Sequence, residues 1–212
     1  MRIFKITGGI DRQSAVYAAS LRCPGCRQLG VFERILVDDL VLPGGVLLGQ
    51  RCCPNPECHA HVFLAYDATQ RRVLVSYPAE RIDFDPANIP PTILKPLNEA
   101  VTCHANACFV AAAIMVRKTL EELCHDRGAG GNDLKARIQS LQTKVVLPKE
   151  LFDGLDDLRL LGNDAAHVES RVYDNVGQQE VEVALEFTKE VLKAVYQYSA
   201  LLARLRSLKK TP

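Results

Sequence analysis

Four cysteines near the start of the chain are spaced as metal ligands would be. Cys23 and Cys26 bracket the turn CPGC, and Cys53 and Cys58 bracket CPNPEC. Two tight turns with two thiolates each can close around one tetrahedral ion. Zinc takes four such ligands at about 2.3 Å in closed structural sites. The stretch between Cys26 and Cys53 suits a pair of strands and a turn. A bound ion would also add folding energy that a small β unit lacks. The competing reading is a redox CxxC pair beside unrelated buried thiols, but such a pair normally opens a helix in an α/β unit. Cys52 offers a fifth thiol. Neighbours on a strand point to opposite faces, and Cys53 is preferred because its Cys-Pro repeats that of the first turn. His59 and His61 are the substitutes. The expected cofactor is one structural zinc ion.

A second constellation lies in LRLLGNDAAH, Leu158 to His167. Helical spacing puts Asn163 and His167 on one face, with Arg159 four residues before Asn163. A cation, an amide and an imidazole can act on a phosphodiester. His167 would move the proton, Asn163 would position and Arg159 would stabilise charge. RNA brings its own nucleophile in the 2′-hydroxyl. The same residues have a structural reading, with Asn163 bonded to a neighbouring helix and His167 capping its own. Gly162 costs about 1 kcal/mol relative to alanine inside a helix, so a close backbone approach or a bend is expected there. Arg117 and Glu121 are four apart in VRKTLEEL. They form an ordinary helix ion pair, or Arg117 reaches across to Asn163 or Asp164.

Composition narrows the class. Of 212 residues, 48% are hydrophobic, enough for a real core, and 24% are charged, which is ordinary for a soluble protein. A net charge of +1 argues against coating nucleic acid through the overall field. A local patch stays open: Arg22, Arg27, Arg51, Arg71 and Arg72 surround the expected knuckles and a hairpin, as candidate nucleic-acid contacts. The opening MRIFKITGGIDR has no long apolar run and no cleavage-like tail. No stretch reaches the length of a membrane span without charges. A cytoplasmic protein with no membrane association is expected. Of the eight cysteines, five lie within the first 58 residues in the metal-ligand-like clusters, and three, Cys103, Cys108 and Cys124, are small packing residues in an apolar helical run.

These residues need elements to hold them. VFERIL (31–36), GVLLGQ (45–50), HVFLAY (61–66) and RRVLVSY (71–77) read as short strands, with turns at LPGG and DATQ. DFDPANIPPTILKP (83–96) has four prolines and no periodicity. Beyond it the spacing is helical. One helix is expected from Pro96 to about Cys124, along Leu97, Val101, Cys108, Ala112, Met115, Thr119 and Leu123. A second, capped by Asn132 or Asp133, should reach Leu141. A third should run from Pro148 to about His167. A fourth should run from Gln179 to Leu208, burying Val183, Phe187, Val191, Val195, Leu202 and Leu205. The expected architecture is α+β: a zinc-ribbon-like β domain at 1–82, a Pro-rich linker at 83–96 and an all-α four-helix bundle at 97–212.

AAAIMVRKTLEEL and LRLLGNDAAH, after a Pro-rich lead-in, resemble an uncharacterised bacterial family of domains of unknown function. Its pattern is an alanine-rich helix with R-x-x-L-E, then a later G-N-x-x-x-H. Many members begin with a zinc-ribbon-like segment carrying a CPNPxC knuckle, as here at 53–58. They occur alone or fused to restriction-type and other defence proteins. The family is in turn similar to the HEPN superfamily of helical bundles. Many of those are dimeric, metal-independent ribonucleases with the motif Arg, polar residue, three variable residues, His. Asn163 and His167 match its last two fixed positions. Gly162 stands where the motif has arginine, and Arg159 lies three residues earlier. The resemblance implies a HEPN-like bundle, a homodimer and a bacterial defence or stress setting. The leading expectation is an accessory or interaction module that binds RNA, DNA or a partner protein. The alternatives are an endoribonuclease using His167, Asn163 and Arg159, and a structural, antitoxin-like protein.

Overall fold

The computed structural model describes residues 11–13, 18–35, 38–167 and 176–208. Most of the opening MRIFKITGGIDR lies outside the described residues. The chain divides into two compact units, Met1–Asp83 and Phe84–Pro212. The first is a β-sheet and the second a bundle of helices.

Seven strands are found among the described residues of the first unit: β1 (Asp11–Gln13), β2 (Ala19–Arg22), β3 (Leu29–Arg34), β4 (Asp39–Leu42), β5 (Val46–Cys52), β6 (His61–Asp67) and β7 (Arg72–Tyr77). β5 organises them. It runs antiparallel to β6 from Val46↔Asp67 to Cys52↔His61. On its other side it meets β4 at Leu42↔Val46 and β3 at Glu33↔Cys52. β6 shows why the sequence folds this way. From His61 to Leu64 the residues alternate exposed and buried, the period of two that gives a sheet one inward face, and the alternation ends at buried Ala65, where the register with β7 shifts. Phe32, Leu47, Val62 and Leu64 make the centre of that core. β1, β2 and β4 go beyond the four expected strands. Each has three or four residues, too few for alternation to register in sequence.

The inward face also holds a charge pair. Arg51 on β5 donates Nη1 to Asp39 Oδ1 at 2.8 Å and Nη2 to Asp39 Oδ2 at 2.7 Å. Both side chains are 1% exposed. Bidentate geometry is the condition under which a buried pair can offset its desolvation. Gly49 makes the room: a Cβ there would lie 1.8 Å from Asp39 Oδ1.

The second unit contains α1 (Pro91–Ala105), α2 (Phe109–Asp126), α3 (Leu134–Leu141), α4 (Lys149–Ala166) and α5 (Gln178–Leu192), then a π-helical turn (Lys193–Gln197) and α6 (Tyr198–Ser207). α3 begins where a cap was expected, with Asp133 accepting from the Ala136 amide at 2.8 Å. Two element boundaries differ from the sequence expectation. Helix starts at Pro91, so residues 91–96 of the expected linker are helical. Proline at the first helical position loses no bond and presets φ, and Pro96 sits buried one turn further on. The long first helix is also broken, at 106–108, into α1 and α2.

The expected inward stripe of the last helix holds only in part: Val191 is buried and Phe187 and Val195 are half-buried, but Val183, Leu202 and Leu205 face outward. α5 buries Val181, Ala184, Leu185, Thr188 and Val191, while Val183 is 64% exposed. The π turn inserts an extra residue into the helical count and re-phases the turns after it. α6 buries nothing, leaving Leu202 and Leu205 on the outside.

Candidate metal centre and bundle motif

Each cysteine turn presents its thiols by the same local device. In the first, Cys23 N donates to Gln28 O at 2.9 Å and Arg27 N donates to Cys23 O at 2.9 Å. In the second, Cys53 N donates to Ala60 O at 2.8 Å and Cys58 N to Asn55 O at 3.0 Å. The residue after the second cysteine is left-handed in both, Arg27 at φ 64° and His59 at φ 48°. The turns are thus two copies of one knuckle. They bring the four Sγ atoms of Cys23, Cys26, Cys53 and Cys58 within 4.8 Å of one another. Cys23 Sγ is 3.6 Å from Cys58 Sγ, and Cys26 Sγ is 3.8 Å from Cys53 Sγ.

Those separations discriminate between chemistries. A disulfide needs about 2.05 Å. A tetrahedron with 2.3 Å metal–sulfur arms has edges of roughly 3.8 Å. The cluster is therefore a four-cysteine set capable of coordinating a metal ion. Amides of Gly25 and Cys26 point at Cys23 Sγ, at 3.3 and 3.5 Å. A backbone hydrogen bond from Gln28 holds the Cys26 thiol down at about 7. Burial pushes Cys53 up to about 12. Cys53 is buried in the cluster, whereas Cys52 lies outside it and directs its thiol to the Cys53 carbonyl at 3.6 Å. His59 and His61 are also outside the cluster. His61 Nδ1 lies 2.7 Å from Gln50 Nε2.

The bundle motif is assembled by α2 crossing α4. Ala112, Ala113 and Val116 are fully buried on α2, and small side chains there let the helices close up. Gly162 completes the approach: a Cβ on it would lie 2.6 Å from the Cβ of Arg117. Arg117 lies over that gap. Its Nη1 donates to Asn163 Oδ1 and to the Arg159 carbonyl at 3.5 Å. Its Nε pairs with Glu121 at 3.4 Å. R-x-x-L-E on one helix and G-N on the other are thus two halves of one polar contact.

The three residues considered for catalysis have separate engagements. Asn163 accepts from Arg117. Arg159 turns back to Asp156, with Nε 2.6 Å from Oδ1 and Nη2 3.2 Å from Oδ2, and holds that carboxyl below its usual range. His167 is the exposed C-cap of α4, its amide donating to Asn163 O at 2.8 Å. Helical rise puts Arg159 and His167 about 12 Å apart along the axis, and the Arg159 side chain points to a partner farther back.

The arginines considered for nucleic acid scatter as well. Arg51 is inside the sheet unit on Asp39, which removes it from any surface patch. Arg22 and Arg27 share Asp83, at 3.3 and 4.0 Å. Arg71 and Arg72 are exposed at the β6–β7 turn. Two features had no sequence signal: Asp39 as the partner of Arg51, and the outward apolar positions of the sheet. The register sets Phe63 opposite Tyr77, and both are exposed, as are Val75 on β7 and Leu29 and Val31 on β3.

The fold and cluster define a two-unit protein, a β-sheet with a four-cysteine site able to bind a metal and a helical bundle. The family model described as Domain of unknown function (DUF4145) matches residues 98–209, more than half of the chain. The chain belongs to that family. The matched segment holds both halves of the α2–α4 contact, and the cysteine cluster precedes it. No curated protein and no solved structure matches the chain.

Proposed function

We propose that this protein is a zinc-stabilised, non-catalytic interaction module. The observation that carries the reading is the α2–α4 contact. Arg117 occupies Asn163 and overlies Gly162, and Asp156 holds Arg159. Asn163 is spent on holding two helices together, Arg159 is spent on Asp156 of its own helix, and His167 stands exposed as the C-cap of α4. The ion is zinc, because four thiolates at tetrahedral spacing in a partly buried, closed shell suit a structural zinc site.

A protein partner is favoured over nucleic acid. Three of the five candidate arginines are paired with carboxylates, while the outer sheet face offers Phe63 and Tyr77, the latter 74% exposed. The homodimer and the HEPN-like ancestry of the bundle belong to this proposal. The leucines that α6 leaves exposed support the first, and the placement of Asn163 and His167 at the end of α4 supports the second.

The test is direct. Purified protein is incubated with single-stranded and structured RNA without added metal, beside His167→Ala. Neither protein should cleave, and elemental analysis should give about one zinc per chain. Cleavage by the wild type that disappears in His167→Ala would replace this reading with the endoribonuclease. Metal-free protein from reducing, chelator-free purification would remove the zinc.

A further inference from the structure

Two cysteines at the end of α1 belong neither to the metal cluster nor to the α2–α4 contact. Cys108 N donates to Cys103 O at 2.9 Å, and Ala107 N donates to His104 O at 2.9 Å. Ala107 is left-handed, at φ 58°. This is a complete Schellman motif, in which the residues at the two ends of the longer bond bring their side chains together. Here those two residues are Cys103 and Cys108. The covalent path through that hydrogen bond cannot exceed about 7 Å, and its bends bring the Cα atoms to roughly 6 Å. Disulfides span Cα separations of about 4.4–6.8 Å.

The end of α2 provides an internal comparison. There Ala129 N donates to Cys124 O at 2.8 Å, Gly128 N donates to His125 O at 3.0 Å, and Gly128 has φ 64°. The motif repeats, and Cys-His repeats within it. The second end, however, pairs Cys124 with Ala129, and both are buried. Only the first end carries two thiols, and it uses alanine at a left-handed position where glycine is the usual choice. Cys108 is exposed and Cys103 half-buried.

We infer that Cys103 and Cys108 form a dithiol oxidation site that closes to an intramolecular disulfide when a hydroperoxide reaches it. Cys108 is the accessible thiol. Its thiolate attacks the peroxide oxygen, the O–O bond breaks, and the departing oxygen takes up the proton that the Cys108 thiol gave up and leaves as water or an alcohol, giving a sulfenic acid on Cys108. Cys103 sulfur then attacks that sulfur. The S–O bond breaks, and the hydroxide takes up the Cys103 proton and leaves as water. Two thiols lose two electrons and one peroxide gains them. Burial, with Cys108 and Glu99 nearby, pushes the Cys103 thiol up, which suits the resolving position. The bridge would pin the corner between α1 and α2 and return to dithiol with a reducing agent.

The experiment uses the metal-loaded full chain, treated briefly with hydrogen peroxide. Free thiols are then blocked with N-ethylmaleimide under denaturing conditions and the peptides are weighed. The peptide holding Cys103 and Cys108 should escape blocking at both thiols in most chains and be two hydrogen masses lighter. Dithiothreitol should reverse this, and Cys124 should remain blocked in every sample. Cys108→Ser should leave Cys103 fully blocked. Cys103→Ser should stop at a sulfenic acid on Cys108 that dimedone captures. Blocking of both thiols at peroxide doses that already oxidise a free cysteine would overturn the site. So would a Cys103 or Cys108 disulfide to any other cysteine.

Discussion

Arg51 and Asp39 form a bidentate ion pair with both side chains buried. Removing the carboxylate would take the counter-charge from a buried guanidinium, a loss of about 3–5 kcal/mol. Asp39→Ala should therefore lower the chemical-denaturation midpoint of the β unit severely. Asp39→Leu with Arg51→Met should recover most of that loss, because a well-packed apolar pair is often neutral against the ion pair it replaces. A double variant no more stable than Asp39→Ala would show that the site tolerates only charge. None of this was legible in the sequence. An arginine is read as surface by default, and its partner is brought to it by the register of β4 on β5. Cys53, in contrast, could be chosen over Cys52, because Cys-Pro occurs in both knuckles and a strand separates adjacent side chains. Spacing within a turn is local information, whereas pairing across a sheet is not.

Between elements, the decisive distance is that of α2 from α4. Alanine is the better helix former by about 1 kcal/mol, so an unpacked site would gain from Gly162→Ala. Here the new methyl would meet the Arg117 side chain near its root, where it cannot swing away. Overpacking of this kind costs about 1–3 kcal/mol. The expected outcome is a lower thermal midpoint for Gly162→Ala, while Gly130→Ala, with nothing within 4 Å of its new carbon, stays near wild type. An unchanged midpoint in Gly162→Ala would refute the close approach. The polar motif was visible in sequence as a set of poor helix residues, and its Arg117 partner as one of two readings. The ends of α1 and α5 were not visible. α1 ends at Ala105 and turns at left-handed Ala107 without the glycine or proline that marks most stops, and the π turn after α5 leaves every residue type compatible with helix.

For the whole molecule, the two compact units predict an uneven response to metal removal. The β unit holds the four-cysteine cluster, and the bundle has its own buried core. A strong chelator under reducing conditions should strip hydrogen-exchange protection from β5 and β6 while the amides of α2 and α4 keep theirs. Loss of protection in both units together, or in neither, would contradict this. Metal and protons compete for the same thiols. Since burial keeps Cys53 protonated up to about 12 without an ion, metal binding must displace that proton, and apparent affinity should fall as pH falls. Competition titrations with a chromophoric chelator from acidic to alkaline pH would measure the slope, and a flat profile would argue that the thiols are not the ligands. The buried pair beside Gly49 has a further effect on how the sheet finds its arrangement. A strand shifted by one position turns every side chain to the opposite face. Such a slip would carry Arg51 outward and strand a lone carboxylate indoors, so the misaligned sheet would be penalised by the same charges that the correct one satisfies. Arg51 and Asp39 thus work like a key cut for a single alignment, rejecting near-miss pairings that an all-aliphatic interior would accept.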